Sequence, residues 1–209
     1  MVAEDSQALT VFLAEIGVKA MEDDGGSPIV AAPVGDDCTA IAARNGIDHK
    51  RLVAIDLLCN TALRVTLMTA PGAGYAALDA VTAAILASGR KVTAIHDSAG
   101  FVSQRMRGMV ANLGCEMAQI GVAAPEQIDL AMKLGLNYPL GPLEMAEDIG
   151  LKNLLDLMQA MQDITGEDRY RPSQWLRRRA LLGVPVHTPD SFSFSPLSFP
   201  LFFPLFFPF

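Results

Sequence analysis

The chain has 209 residues, 51% of them apolar and 19% charged, and a net charge of −7. That is enough for one or two small domains with a real core, and the acidic balance argues against nucleic acid as a partner. Cys38, Cys59 and Cys115 form no CxxC pair or even disulfide framework, and His49, His96 and His187 show no ligand spacing. Reduced thiols in a cytoplasmic protein, with no metal site, are therefore expected.

Residues 1–20 hold no basic segment followed by an apolar core, so no signal peptide is expected. Residues 8–20 predict a short helix with Gly17 at its end. An acidic turn follows through Glu22-Asp23-Asp24-Gly25-Gly26, and residues 28–32 read as a buried strand. Residues 36–45 read as a helix capped by Asp36 or Asp37. Leu52 to Ile55 and Arg64 to Met68 are further strands. Ala76 to Ala87 is a helix apolar enough to pack on a sheet, and Lys91 to Ile95 is the last strand. Strands and helices alternating at this length predict an α/β layer with a partly parallel sheet over residues 1–97.

After Asp97 the period changes. Val102, Met106, Met109, Val110, Leu113, Met117 and Ile120 recur three or four residues apart, on one face of a long helix closed by Gly121. Pro125 opens the next helix, whose apolar residues are Ile128, Leu130, Ala131 and Leu134 and whose stop is read as Gly135. Further helices cover about 142–149, 151–164 and 172–182. Residues 98–187 thus read as all-helical, with short connections that favour antiparallel neighbours. Residues 188–209 are a different material. They hold eight of the ten phenylalanines and a proline every four residues from Pro196. That spacing forbids a transmembrane helix and predicts a disordered extension, with a hydrophobic-partner anchor as the alternative.

Four segments occur together in order: His96-Asp97-Ser98-Ala99-Gly100-Phe101-Val102-Ser103-Gln104-Arg105; Gly121-Val122-Ala123-Ala124-Pro125-Glu126-Gln127-Ile128-Asp129; Leu134-Gly135-Leu136-Asn137-Tyr138-Pro139-Leu140-Gly141-Pro142; and Gly166-Glu167-Asp168-Arg169-Tyr170-Arg171-Pro172. In this order and spacing the chain resembles the NAD-dependent 3-hydroxyacyl-CoA dehydrogenases. It is most similar to the degenerate second half, with C-terminal helical domain, of the long duplicated bacterial members. The resemblance implies an incomplete, degenerate half-Rossmann-like layer at 1–97 and the family's helical C-terminal domain at 98–187. It also implies a dimer formed through that helical domain.

The motif residues themselves are structural. Gly100 lets the backbone bend between layer and helices, and Pro139, Gly141 and Pro142 stiffen a loop. The chemistry that the resemblance implies is hydride transfer from a 3-hydroxyacyl-CoA to NAD, which needs a G-x-G-x-x-G phosphate cradle. Gly72-Ala73-Gly74 lacks the third glycine and reads better as a turn. The family's catalytic His would fall on Leu57, its Glu near Thr66 and its Ser in Pro33-Val34-Gly35-Asp36, while its Asn is Gln104. No catalytic residue is therefore expected beyond Gln104, which keeps an amide, and no NAD binding by this chain alone. Acyl-CoA would be handled only beside a complete dehydrogenase half. A non-catalytic dimerisation or cleft module, or a nonfunctional truncated gene product, stays open. His96 and Asp97 point to opposite sides of a strand, so Asp97 is read as a helix cap, not as half of a dyad. Trp175 is read as core, with Arg177, Arg178 and Arg179 on a solvated face.

Overall fold

The computed structural model describes residues 1–3 and 6–190. The Phe/Pro run from Ser191 onward, expected to be a disordered extension, lies outside the described residues. Four strands, β1 (Ile29–Ala31), β2 (Leu52–Ile55), β3 (Arg64–Thr69) and β4 (Lys91–His96), form one sheet in the order β1-β2-β3-β4. β1 and β2 are parallel, β2 and β3 antiparallel, β3 and β4 parallel. The partly parallel sheet expected from the sequence is therefore present.

All four residues of β2 are buried, which requires both sheet faces to be covered. Val53 and Ile55 pack with Leu9, Phe12, Val81 and Ile85 on one side. Leu52 and Ala54 pack with Ile29, Ala31, Cys38 and Ile41 on the other. The covering helices are α1 (Gln7–Glu15), α2 (Cys38–Asn45) and α3 (Tyr75–Ala87). Asp37 caps α2, accepting from Ala40 N at 2.7 Å. α1 is shorter than the 8–20 span read from its composition. Ile16 is already outside it, and Gly17 turns the chain at φ +72°.

The helical domain is α4 (Val102–Gln119), α5 (Pro125–Leu136), α6 (Pro142–Ile149), α7 (Leu151–Thr165), a 3-10 turn at Asp168–Tyr170 and α8 (Gln174–Leu182). Leu154, Leu155, Met158 and Met161 lie on the buried side of α7, as their spacing predicts, together with Leu157. Gly135 is not the stop of α5. The helix runs one residue further, and Asn137 takes the left-handed conformation at φ 54°. Asn reaches that region at low cost, so the adjacent glycine is not needed for it.

α4 inverts a natural expectation. Of its large apolar residues only Met109, Val110 and Met117 pack, partly buried, against the helical core, whereas Val102, Met106, Leu113 and the C-cap Ile120 are 57–67% exposed. The buried residues are Gln104, Gly108, Ala111, Asn112, Gly114, Cys115 and Ala118. Small residues let neighbouring helices approach closely. A Cβ added at Gly108 would lie 2.8 Å from Leu157 Cδ2, and one at Gly114 would collide with the Pro142 ring. Asn112 fixes the entry to α8, donating to Arg171 O (2.9 Å) and accepting from Ser173 N (2.8 Å).

The chain after α8 folds back onto the domain. Trp175 Nε1 donates to Val186 O at 2.8 Å, and His187 Nε2 lies 2.8 Å from Asp129 Oδ2. Arg179 is 3% exposed and not on a solvated face. Its guanidinium sits 3.1 Å from the Trp175 ring centroid and donates to Thr188 O. Residues 188–190, read from sequence as the start of the tail, are thus held against α8, with Asp190 paired to Arg179 at 3.2 Å. Arg177 and Arg178 are exposed, as read.

Candidate junction site

The two regions meet where β1 and β2 end and α4 begins. Gly100 (φ +70°) and Phe101 (φ +44°) carry the chain across. A positive φ strains a phenylalanine. Its ring is 0% exposed in the cluster under β1 and β2, and that burial offsets the strain. A Cβ at Gly100 would meet Met161 Sδ at 2.7 Å, so any other residue there would have to push the Met161 side chain aside as well as adopt a positive φ.

Gln104, the retained amide, lies in the first turn of α4 and is 1% exposed. It donates to Pro33 O (3.1 Å) and Asp56 Oδ1 (2.9 Å) and accepts from Gly35 N (3.1 Å). Both of its N–H donors and one acceptor position are therefore engaged by the protein. Gly35 is pressed on α7: a Cβ there would lie 2.8 Å from Leu157 O and from Ala160 Cβ. Leu57 packs toward the sheet cluster, whereas Leu58 and Val34 pack toward the helical cluster. Thr66 supplies its carbonyl to Asp56 N at 3.0 Å. Asp56 ties three of these segments together, bonding Gln104 and through it the 33–35 loop, and reaching Thr66 O by its N–H, while Leu57 turns to the sheet cluster.

Sequence reasoning missed Asp56, Cys59 and Arg107. Asp56 is 3% exposed, and burial pushes its carboxyl above the ordinary range despite the bonds from Gln104 and Leu58 N. Burial, with the Asp56 carboxylate next in weight, likewise raises the Cys59 thiol. Arg107 donates to Cys59 Sγ at 3.8 Å and pairs with Asp148 of α6. Cys38 and Cys115 are pushed up to about 12, chiefly by burial. Thiols held protonated in this way are poor nucleophiles. The available signal was an acidic residue directly after four consecutive apolar strand residues.

His96 and Asp97 do not form a dyad. Asp97 accepts from Cys38 N (2.7 Å) and Thr39 N (2.9 Å), so it caps α2 from across the sheet. It caps a helix that precedes it, not the α4 that follows. His96 is exposed on a groove of about 470 Å3 with Gly72, Gly74 and Tyr75. The Gly72–Gly74 loop does not fit a nucleotide phosphate. Ala73 N–H donates to Ala70 O and Gly74 N–H to Lys50 O, so these amides are turned inward. Among the described residues no group of three or more His, Cys, Asp or Glu could hold a metal, and no helix is long and apolar enough to cross a membrane.

This fold is a four-stranded mixed sheet with covering helices, followed by a five-helix domain entered through a Gly-Phe turn. Residues 100–189 match the family described as 3-hydroxyacyl-CoA dehydrogenase, C-terminal domain, and the chain carries that domain. A 94-residue stretch, 45% of this chain, is 43% identical to a 3-hydroxyadipyl-CoA dehydrogenase of Escherichia coli K12, covering 20% of that protein. The crystal structure of a 3-hydroxybutyryl-CoA dehydrogenase from Escherichia coli K12 superposes with a TM-score of 0.67 at 32% identity, over 78% of this chain and 34% of that one. The (S)-3-hydroxybutyryl-CoA dehydrogenase PaaH1 of Ralstonia eutropha shares the fold over 90% of this chain and 68% of its own, with a TM-score of 0.67 at 24% identity. The chain thus spans about a third or less of the length of the two Escherichia coli proteins.

Proposed function

We propose that the chain acts as the helical portion of a cytoplasmic 3-hydroxyacyl-CoA dehydrogenase. The reaction of the whole is NAD-linked oxidation of a 3-hydroxyacyl-CoA to a 3-oxoacyl-CoA, in fatty-acid or aromatic-acid β-oxidation. This chain takes part only beside a complete dehydrogenase half that brings the nucleotide cradle and the base. One observation carries the reading: the junction keeps the backbone architecture of a site but not its proton chemistry. Leu57 and Thr66 cannot act as a base near neutral pH, and both N–H donors of Gln104 are already taken by Pro33 O and Asp56. Gln104 is then a positioning residue for the 33–35 loop.

The exposed seam on α4 supports pairing with a second helical domain, in the same chain's copy or in a dehydrogenase half. Val102, Met106, Leu113 and Ile120 repeat at four and seven residues, the spacing of a helix–helix seam. Exposed Leu130 and Leu134 continue the apolar surface on α5.

The test uses the purified full chain. NADH fluorescence titration should show no micromolar binding, and acetoacetyl-CoA reduction should stay below detection. Turnover should appear when a dehydrogenase half bearing the glycine cradle and catalytic His is supplied. Turnover by the chain alone, abolished in Gln104→Ala, would overturn the reading and make Gln104 catalytic.

A further inference from the structure

One side chain from each region closes the junction. Asp56 of the sheet layer and Gln104 of α4 are both almost fully buried and meet at 2.9 Å. Through Gln104 the contact extends to Pro33 O and Gly35 N, at the exit of β1. Asp56 Oδ1 also accepts from Leu58 N at 3.3 Å, and Asp56 N–H reaches Thr66 O on β3. A single residue therefore sits where the ends of β1 and β2, the middle of β3 and the long helix are tied together.

The groups around it offer no compensating charge in contact. From α4 come Gln104 and Arg107, and the Arg107 guanidinium is directed to Cys59 Sγ and to Asp148 of α6. Its own loop brings the Cys59 thiol. β3 brings the Thr66 carbonyl. The 33–36 loop brings Asp36, whose carboxylate is paired with Arg44 at 2.8 Å. α7 brings apolar Leu157 and Ala160 against Gly35. No ion pair to Asp56 occurs among the described residues.

We propose that the Asp56–Gln104 contact is a proton-operated latch between the sheet layer and the helical domain. A neutral carboxyl group is at home in this dry junction. An anion there is held by Gln104, Leu58 N–H and the thiol and N–H of Cys59 but loses water on every side, so opening to solvent becomes easier once it forms. Burial outweighs these donors and raises the carboxyl above its ordinary 3.8. The closed state therefore binds this proton more tightly than the open one. The latch is fully set below 3.8 and weakens as pH rises through the raised folded value. The role is independent of any reaction on acyl-CoA.

Amide hydrogen exchange in the full chain tests it, read at Gly35 N–H and Leu58 N–H from about pH 4 to about pH 8 and corrected for intrinsic rates. Protection should fall by about tenfold for each pH unit that separates the ordinary and the raised value. In Asp56→Asn, which keeps the shape and an acceptor oxygen, protection should not change with pH. A wild-type chain with pH-independent protection at both amides overturns the latch. A carbon-13 carboxyl titration of the wild type decides the matter if the variant does not fold. A midpoint above 3.8 that tracks the loss of protection supports the latch, and a midpoint at or below 3.8 overturns it.

Discussion

The sheet layer and the helical domain build their cores by opposite rules. In the layer, large apolar residues face inward: Val53, Ile55, Val65 and Leu67 on one side of the sheet, Leu52 and Met68 on the other. In the helical domain the central helix α4 fully buries glutamine, glycine, alanine, asparagine and cysteine, packs Met109, Val110 and Met117 only partly, and turns Val102, Met106 and Leu113 out. A strand needs bulk to fill the roughly 10 Å between it and a covering layer. A helix crossed closely by several others, α6, α7 and α8 here, needs room for their backbones and side chains. Apolar character marks the interior in the first case and a surface in the second.

The largest expected effect tests whether both cores are well packed. Leu154→Ala in α7 and Leu67→Ala in β3 remove fully buried side chains and should each cost about 3 kcal/mol in urea unfolding. A cost under about 1 kcal/mol at Leu154 would mean that the helical core is loose. Next comes crowding. Gly114→Val on α4 drives side-chain atoms into Pro142 and should cost about 2 kcal/mol. Gly46→Ala at the end of α2 meets nothing within 4 Å and should cost about 1 kcal/mol, from its left-handed backbone alone. Equal losses at the two glycines would remove the contrast between close-packed and open positions.

The outward seam of α4 makes a smaller prediction for stability and a clear one for association. Met106→Lys with Leu113→Lys should change unfolding free energy by about 0.5 kcal/mol or less, because both side chains are more than half exposed. Light scattering should show loss of self-association. A double variant that unfolds instead would place this face in the core.

The smallest effect concerns a surface charge of the layer. Arg51 and the Gly25 N–H hold the Asp23 carboxyl down to about 2. Its contribution is present above 3.8 and lost as pH falls through about 2, opposite in sign to that of Asp56. Asp23→Asn should therefore lower the melting temperature slightly above pH 3.8, with the difference vanishing as pH falls through about 2. A difference that stays the same down to the acid end would contradict the assignment.

Strand and helix order, the Gly121, Gly150 and Gly183 endings and the buried side of α7 were legible in the chain, because local periodicity and turn residues determine them. The same is true of the segments that match the family's C-terminal domain. Which face of α4 is buried was not legible, since its seam reads as a core stripe until the partners of Gly108 and Gly114 are known. Asp97 as a cap for α2, Arg179 stacked on Trp175, and Asp56 joined to Gln104 were also hidden. Asp97 and Cys38 lie 59 positions apart and Asp56 and Gln104 48, while the Arg179–Trp175 stack, only four apart, is completed by the chain at Thr188 folding back. Such contacts exist only once packing has excluded water and left a polar group with one available partner. The chain by itself determined its elements and the family scaffold they form. The tertiary structure decided which polar groups are dry, and so where the junction can respond to a proton.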